Sequence, residues 1–166
     1  MRAKRVIAIF VLGLVAFLIV YPPLANSSVK VAVTPSSGVA VEHLYVTVEE
    51  ISAHRADTRE PEGWFLLSNQ SSVIDLAMLN STQTTSLGSL SLGQYDMIRI
   101  RVTNATAFVN NTSKSVQLQL GVFTVPSSFT VRLGQQTAVV LNVTPDLEIT
   151  PEKLTLDLSF ASTSEK

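Results

Sequence analysis

Seven asparagines are the residues whose type and spacing most directly predict chemistry in this sequence. Each is followed two positions later by serine or threonine, and no proline stands between them. Such a triplet is the acceptor for N-linked glycosylation, which attaches a sugar to the asparagine side chain. The sequence therefore predicts an exported chain with glycans on its exposed loops. The candidate acceptors are Asn26, Asn69, Asn80, Asn104, Asn110, Asn111 and Asn142.

Residues that could perform catalysis are few. The chain has no cysteine, no Gly-X-Ser-X-Gly elbow and two histidines, His43 and His54, which excludes thiolate chemistry, disulfides and zinc–thiolate sites. Eleven positions separate the histidines, so within one continuous strand they would point to opposite faces, roughly 35 Å apart. They could then share a metal only if the strand bulged or turned back. We expect no enzyme, no cofactor and no metal site.

Acidic and aromatic side chains offer weaker signals. The carboxylates between positions 42 and 62 lack the spacing of a calcium-binding loop, so we expect a solvated acidic surface there. Trp64, Tyr45 and Tyr95 have two interpretations, as a ligand platform for carbohydrate or as parts of the core. Arg99 and Arg101 share one face of a predicted strand, where we expect them to pair with acidic residues of a neighbouring strand.

The N-terminus carries a membrane-targeting pattern. Arg2, Lys4 and Arg5 precede an uncharged apolar run at residues 6–21 that extends to residue 25. Basic residues before such a run place the N-terminus inside and the remainder of the chain outside. A signal peptidase prefers small residues before its cleavage site, and Pro23 disfavours cleavage after Ala25. We therefore predict that residues 1–28 form an uncleaved signal anchor with one N-terminal hydrophobic helix, and a secreted chain is the alternative.

Residues 29–166 are predicted to form one all-β domain. Short apolar segments with two-residue periodicity alternate with turn residues, and no later segment sustains helical periodicity. Glu49 and Glu50 interrupt one such segment and indicate a β-bulge that re-aims Ile51. The pattern is typical of an antiparallel β-sandwich. The predicted strands are residues 29–34, 39–54, 64–67, 73–79, 97–103, 116–120, 123–125, 129–133, 138–143 and 154–160.

The order of these segments resembles the domain-of-unknown-function family 4382, which occurs in exported bacterial and archaeal proteins. The most specific part is the Leu-x-x-Gly-x-Tyr-x-x-Ile-Arg run from Leu90 to Arg99. The resemblance implies a β-sandwich of immunoglobulin-like or transthyretin-like appearance, and it assigns no reaction. The other matching segments are residues 31–35, 44–54, 63–67, 73–79 and 125–127.

Composition limits the partners. Without Arg2, Lys4 and Arg5 the chain has 9 basic and 13 acidic residues, a net charge of −4 that offers nucleic acid no basic patch. Abundant acceptor triplets without cysteine favour an archaeal surface protein.

Two functions remain open. The first is a non-enzymatic, glycosylated module that residues 6–25 tether to the cell membrane, with a structural or adhesive role. It includes a filament subunit that self-associates by exchanging residues 28–34. The second is an accessory domain that binds carbohydrate or another ligand.

Overall fold

Strands are the only regular elements in the described part of the chain. The computed structural model describes residues 28–35, 41–79, 82–150 and 152–163. This confirms the all-β prediction. The ten strands are β1 (Ser28–Pro35), β2 (His43–Arg55), β3 (Trp64–Ser68), β4 (Ser72–Asp75), β5 (Gln83–Ser89), β6 (Gly93–Val109), β7 (Thr112–Leu118), β8 (Val122–Val131), β9 (Thr137–Ile149) and β10 (Leu154–Thr163).

The strands form one curled, half-barrel sheet, whereas the sequence predicted two separate sheets. The order is β3-β2-β6-β7-β10-β9-β1-β5, with β4 beside β3 on β2 and β8 beside β7 on β6. Most pairs are antiparallel as predicted, but β1–β9 and β7–β10 are parallel. The short β7–β10 ladder joins the two halves of the sheet into one.

The core lies inside the curl. Alternate residues of each strand point inward, since successive side chains of a strand face opposite sides of a sheet. Val31, Val46, Ile100, Val143 and Leu158 come from five strands and line one small interior void of ≈ 10 Å³. The two halves of the sheet therefore pack against each other through aliphatic side chains. Burying each such side chain contributes about 1.5–3 kcal/mol to stability.

Three residues are skipped in the pairing of β2 with β6, and they shift which side chains face inward: Glu49 on β2, and Thr103 and Asp96 on β6. On β2, Val48 and Glu50 pair in succession with β6 while Glu49 has no partner, which confirms the predicted bulge. Ile51 consequently points into the core, where it is 3% exposed. On β6, Asp96 is skipped in the pairing with both neighbouring strands. The bulge at Asp96 gives its carboxylate access to the outer face of the sheet.

Several strand boundaries differ from the sequence prediction. Strand β5 was not predicted from the sequence, because Gln83–Ser89 is mostly polar. This segment pairs only with β1, which is distant in sequence. Strand β8 continues through Pro126, where two short strands were predicted. Pro126 lies opposite Met97, at the irregularity beside Asp96, and a bulge is one of the positions in a sheet that accept proline.

The curled sheet has two ends. The entry end is defined here as the end at which β1 begins, and it carries the connections 56–63, 90–92 and 132–136. The strand register places them together, because Ser28 lies opposite Ser89, Gly93 opposite Val131, and Val29 opposite Thr137. The far end is the opposite one, where the turn between β6 and β7, the end of β4 and the turn between β9 and β10 lie.

The predicted membrane segment, residues 6–25, lies outside the described residues, as does the predicted N-terminal helix. Within the described ranges, no helix has the length and apolar character needed to span a bilayer. The boundary between residues 28 and 29 stays a prediction of the sequence.

Candidate functional site

The acceptor asparagines that the structure describes lie on the surface. Asn69 follows β3 in the gap before β4, and Asn104 points outward from β6; both are exposed. The sequence had placed Asn104 just after a strand that ended at Thr103, but β6 continues to Val109. Asn142 lies within β9, beside Thr34 and Ala161, and its side chain is half-buried. Asn26 and Asn80 lie outside the described residues.

Asn110 and Asn111 form the tight turn between β6 and β7. Both have left-handed backbone angles, with φ of 51° and 58°. Asparagine tolerates this conformation better than other non-glycine residues, and two such residues in succession match the twist of a two-residue hairpin. The Asn111 backbone N–H donates to Glu42 Oε2 at 3.3 Å, which ties the turn to the start of β2. Both side chains are exposed, so either amide is accessible for modification.

His54 is the more buried of the two histidines, with 2% of its surface exposed. Its Nδ1 lies 2.7 Å from Asp96 Oδ1, across the β2–β6 pair at the β6 bulge. Since a carboxylate only accepts hydrogen bonds, Nδ1 carries the proton, and in the neutral ring Nε2 is left as an acceptor. That Nε2 is buried without a hydrogen-bond partner among the described residues.

The loop between β2 and β3 closes over His54. A Cβ at Gly63 would lie 3.2 Å from His54 Nε2 and would overlap the Thr58 hydroxyl, and Gly63 has φ of +79°. Only glycine fits this position without strain. Hydrogen bonds from Arg55 N to Gly63 O, at 2.9 Å, and from Thr58 Oγ1 to Arg55 O, at 2.8 Å, hold the loop in place. No substrate can reach Nε2 unless this loop moves.

Trp64 completes the His54 cluster. Its indole ring lies 5.1 Å from the His54 ring, and the Arg99 guanidinium carbon lies 3.7 Å from the indole centroid. Such a cation–π contact contributes about 0.5–1 kcal/mol at an exposed site. Arg99 Nη2 also lies 3.5 Å from Glu60 Oε1, which joins the sheet to the loop. Trp64 Nε1 is the second buried nitrogen without a partner among the described residues.

His43 forms a separate pair at the far end. Its Nδ1 lies 2.6 Å from Asp75 Oδ2, and its ring stacks on Tyr45 at 5.5 Å. Asp75 Oδ1 accepts the N–H groups of Leu44 at 3.1 Å and of Ala77 at 3.1 Å. Burial would raise the pKa of the Asp75 carboxyl, but the bond to His43 and the backbone N–H donors together lower the pKa below its ordinary value.

The two histidines do not meet. They stand near opposite ends of β2 and pair with different aspartates, Asp75 and Asp96. The bulge at Glu49 changes the alternation so that both face away from the core, where an unbroken strand would have placed them on opposite faces. Within the described residues, no group of three or more potential metal ligands occurs.

The three aromatic residues of the suggested ligand platform lie apart. Tyr95 is 1% exposed, stacks on Phe129 at 5.2 Å and donates from its hydroxyl to Ser91 O at 2.9 Å. Burial raises the pKa of its phenol. The charge of Arg55 lowers this pKa by a smaller amount, and that of Asp57 raises it. Tyr45 packs beside His43, and Trp64 packs beside His54.

A polar groove of ≈ 700 Å³ separates β8 from the start of β9. Ligand pockets commonly have volumes of about 300–1,000 Å³. Its floor is partly aromatic through Phe129, and the Thr137 hydroxyl donates to Thr130 O at 3.1 Å across it. The polar side chains that line it are those of Ser127, Ser128, Thr130, Arg132, Gln135, Gln136, Thr137 and Thr163.

The sequence did not identify the aspartate partners of the histidines. Asp96 is 42 positions from His54, and Asp75 is 32 positions from His43. No local spacing links them, because the pairings depend on strand register and on a bulge in β6. The expected pairing of Arg101 does occur, with Glu50 directly opposite on β2 and Arg101 Nε 3.9 Å from its carboxylate.

Comparison with known proteins gives one result. A family model described as a domain of unknown function, DUF4382, matches residues 26–157. No curated protein and no solved structure matches the chain.

Proposed function

We propose that this chain, which belongs to the DUF4382 family, is a non-enzymatic, N-glycosylated module of the cell surface with a structural or adhesive role. Residues 6–25 tether it to the membrane, with the N-terminus inside and the β domain outside. The observation that carries the proposal is the surface position of the acceptor asparagines. Asn69, Asn104, Asn110 and Asn111 are all exposed, as an acceptor of a bulky sugar must be.

The surroundings of His54 support a role without catalysis. A general base must come within about 3 Å of the proton that it removes. His54 Nε2 instead lies beneath the backbone of Gly63, and its Nδ1 is bonded to Asp96. This pair and Trp64 connect three strands and a loop, so we assign them to stability.

We propose that the curled sheet is a β-sandwich of immunoglobulin-like or transthyretin-like type. Strands β2, β3, β4, β6 and β8 would form one layer, and β1, β5, β9 and β10 the other, with β7 pairing with β6 of the first layer and β10 of the second. Support comes from the interior, where aliphatic side chains of both groups line one void. Two facing layers with a shared apolar interior are what defines a sandwich.

Strand exchange remains a variant of this proposal. Strand β1 follows the apolar N-terminal segment directly and lies between β5 and β9. Its Val29 and Val31 are fully buried, so a neighbouring copy that donated the same strand would fill the same place. Size-exclusion chromatography of a chain that lacks residues 1–34 tests the variant. A stable monomer without these residues would contradict it.

A second candidate function is ligand binding in the polar groove between β8 and β9. The observation that favours it is the combination of a guanidinium, hydroxyl and amide groups with Phe129 in one groove of ligand size. Calorimetric titration with oligosaccharides would test it. Binding that Arg132→Ala weakens tenfold would support a site there, and equal binding by both proteins would count against it.

Glycopeptide mass spectrometry on the chain purified from native membranes tests the main proposal. We expect sugar masses on peptides that contain Asn69, Asn104 and the Asn110–Asn111 turn. The protein's presence in the membrane fraction tests the tether separately from the glycosylation. A chain found in that fraction without sugars would support the tether and contradict the glycosylation. Bare asparagines at all described acceptors would overturn the glycoprotein assignment.

A further inference from the structure

We propose that the entry end of the sheet rests against the phospholipid bilayer, with Leu92 and Leu133 in the headgroup region. The far end and the flanks of the sheet then carry the glycans into the surroundings. This inference rests on the proposed function, because it requires residues 6–25 to lie in the membrane.

The short distance between the apolar segment and β1 decides which end is near the bilayer. Strand β1 begins at Ser28, three residues after Ala25. Three residues span at most about 10 Å, and even the seven residues that follow Tyr21 span at most about 25 Å. The entry end, where Ser28 pairs with Ser89, therefore lies within this distance of the membrane surface.

Two exposed leucines stand at neighbouring tips of this end. Leu92 is 48% exposed and Leu133 is 57% exposed. They are adjacent in space because Gly93 pairs with Val131, which brings the start of β6 beside the end of β8. Arg132 is also exposed and directly precedes Leu133 in the sequence. Leucine side chains enter the boundary between headgroups and acyl chains, and arginine pairs with lipid phosphate.

The charges of the neighbouring loop 56–63 bear on which part of the entry end contacts lipid. The loop 56–63 contains acidic residues that an anionic lipid surface would repel if they were unpaired. Of its three acidic residues, Asp57 is paired with Arg55 at 3.0 Å and Glu60 with Arg99 at 3.5 Å, whereas Glu62 is exposed and forms no ion pair with a described residue. The leucine corner, rather than this loop, therefore makes the lipid contact.

Exposed apolar side chains alone do not orient the domain, since Met78 and Ile149 are exposed at the far end. Among the described residues the acceptor asparagines supply the asymmetry, although the candidate acceptor Asn26 lies two residues before β1. The connections 56–63, 90–92 and 132–136 contain no asparagine, whereas Asn110 and Asn111 form a turn of the far end. Glycans at that turn would hold the far end away from lipid.

The absence of native cysteine makes the orientation directly measurable. Four single-cysteine variants of the full chain carry an environment-sensitive fluorophore: Leu92→Cys and Leu133→Cys at the entry end, and Met78→Cys and Ile149→Cys at the far end. The controls match the test positions because all four side chains are large, apolar and about half exposed. Each variant is reconstituted in phosphatidylcholine–phosphatidylglycerol vesicles, with and without a nitroxide-labelled lipid.

We expect the nitroxide lipid to quench the labels at positions 92 and 133 at least about twofold more than those at positions 78 and 149. Equal quenching at both ends, or stronger quenching at the far end, would overturn the orientation. Flotation of the same vesicles distinguishes the two proposals. A chain that does not float with lipid overturns the membrane tether itself, whereas a chain that floats with equal quenching overturns the orientation alone.

Discussion

At the scale of single residues, the histidines and the acceptor asparagines differ in how far their side chains are buried. The histidines are held by aspartates, and His54 lies beneath a loop, whereas the described acceptor asparagines are accessible except for the half-buried Asn142. The aspartate bonds and the loop hold the histidines in place, whereas an amide on the surface can be modified. Two buried nitrogens of this cluster, His54 Nε2 and Trp64 Nε1, have no hydrogen-bond partner among the described residues, and each such nitrogen costs about 1–3 kcal/mol that the packing around it must offset.

Asp75 should make stability depend on pH. Its folded-state pKa is lowered, so its contribution is fully present above the unfolded-state pKa near 3.8 and is lost as pH falls through the lower folded-state value. We expect Asp75→Asn to destabilise the domain at pH 7 by on the order of 1–3 kcal/mol, because it removes a charged acceptor of several hydrogen bonds. Urea unfolding at pH 7 and at pH 2–3 measures the difference, which should shrink at the lower pH.

Asp146→Asn is the control for this experiment, since Asp146 is exposed on β9. Its effect should stay within about 0.5 kcal/mol at either pH. A stability difference between wild type and Asp75→Asn that does not change with pH would contradict the assigned role of the carboxylate.

Substitution of two glycines with left-handed backbone angles can distinguish the cost of backbone strain from the cost of steric overlap. Gly63 has φ of +79° and approaches Thr58 and His54, whereas Gly134 has φ of +68° and a Cβ added there would meet no atom within 4 Å. We expect Gly134→Ala to cost about 1 kcal/mol from backbone strain alone. Gly63→Ala should cost about 2–4 kcal/mol, because overlap with the loop and the imidazole adds to the strain. Chemical unfolding of both variants measures these costs. Equal losses of unfolding free energy would contradict the prediction and mean that the loop moves to accommodate the added methyl group at little cost.

At the scale of the strands, bulges decide which side chains reach which face. The bulge at Glu49 keeps Ile51 in the core, and the bulge at Asp96 brings a carboxylate to His54. A one-residue change of register moves a whole strand's side chains to the opposite face. Deleting either bulge residue would therefore rearrange the pattern of buried positions along the remainder of its strand.

Strand β1 should contribute strongly to the core although it pairs in parallel with β9. Val31 has no exposed surface and contacts the interior void. We expect Val31→Ala to lower the free energy of unfolding by about 1–3 kcal/mol, from lost burial and the enlarged cavity. Val73→Ala is the matched control on β4, where the valine is 58% exposed, and should change stability by less than about 0.5 kcal/mol. If both variants lost similar amounts of unfolding free energy, β1 would not take part in the cooperative unfolding of the domain.

The turn between β6 and β7 should carry one glycan, not two. Asn110 and Asn111 are adjacent, and a sugar on one leaves little space for a transferase to reach the other. Thr112→Ala removes the acceptor triplet of Asn110 only, and Ser113→Ala removes that of Asn111 only. Mass spectrometry of the turn peptide should show loss or relocation of the sugar in one variant and no change in the other. Two sugars on one wild-type peptide would refute this prediction.

At the scale of the whole molecule, the described acceptors leave the three connections of the entry end bare, although the candidate acceptor Asn26 precedes β1 by two residues. The described ones lie in β6, in β9, in the connection between β3 and β4 and in the turn at the far end, while the three connections of the entry end contain none. A module arranged in this way would present its sugar-coated parts to the surroundings and its bare end to the membrane. The polar groove between β8 and β9 opens near the bare end, where no described acceptor would cover it.

The amino-acid pattern alone determined the all-β class, most strand positions and the bulge at Glu49. These follow from two-residue periodicity and its interruption, which are properties of one stretch of chain. It also determined the acceptor triplets, since a triplet is a local feature. Strand β5 escaped detection because a polar segment such as Gln83–Ser89 has no apolar period of its own and becomes a strand by pairing with β1.

Only the tertiary structure decided the pairings that join distant parts of the chain. The parallel β1–β9 ladder, the β7–β10 ladder that makes one curled sheet, and the His54–Asp96 bond depend on contacts between residues far apart in sequence. The free energy of such contacts depends on how whole strands pack and on their register, which no single segment encodes. For the same reason only the fold could place Leu92 beside Leu133, 41 positions away, at the end where the chain enters the domain.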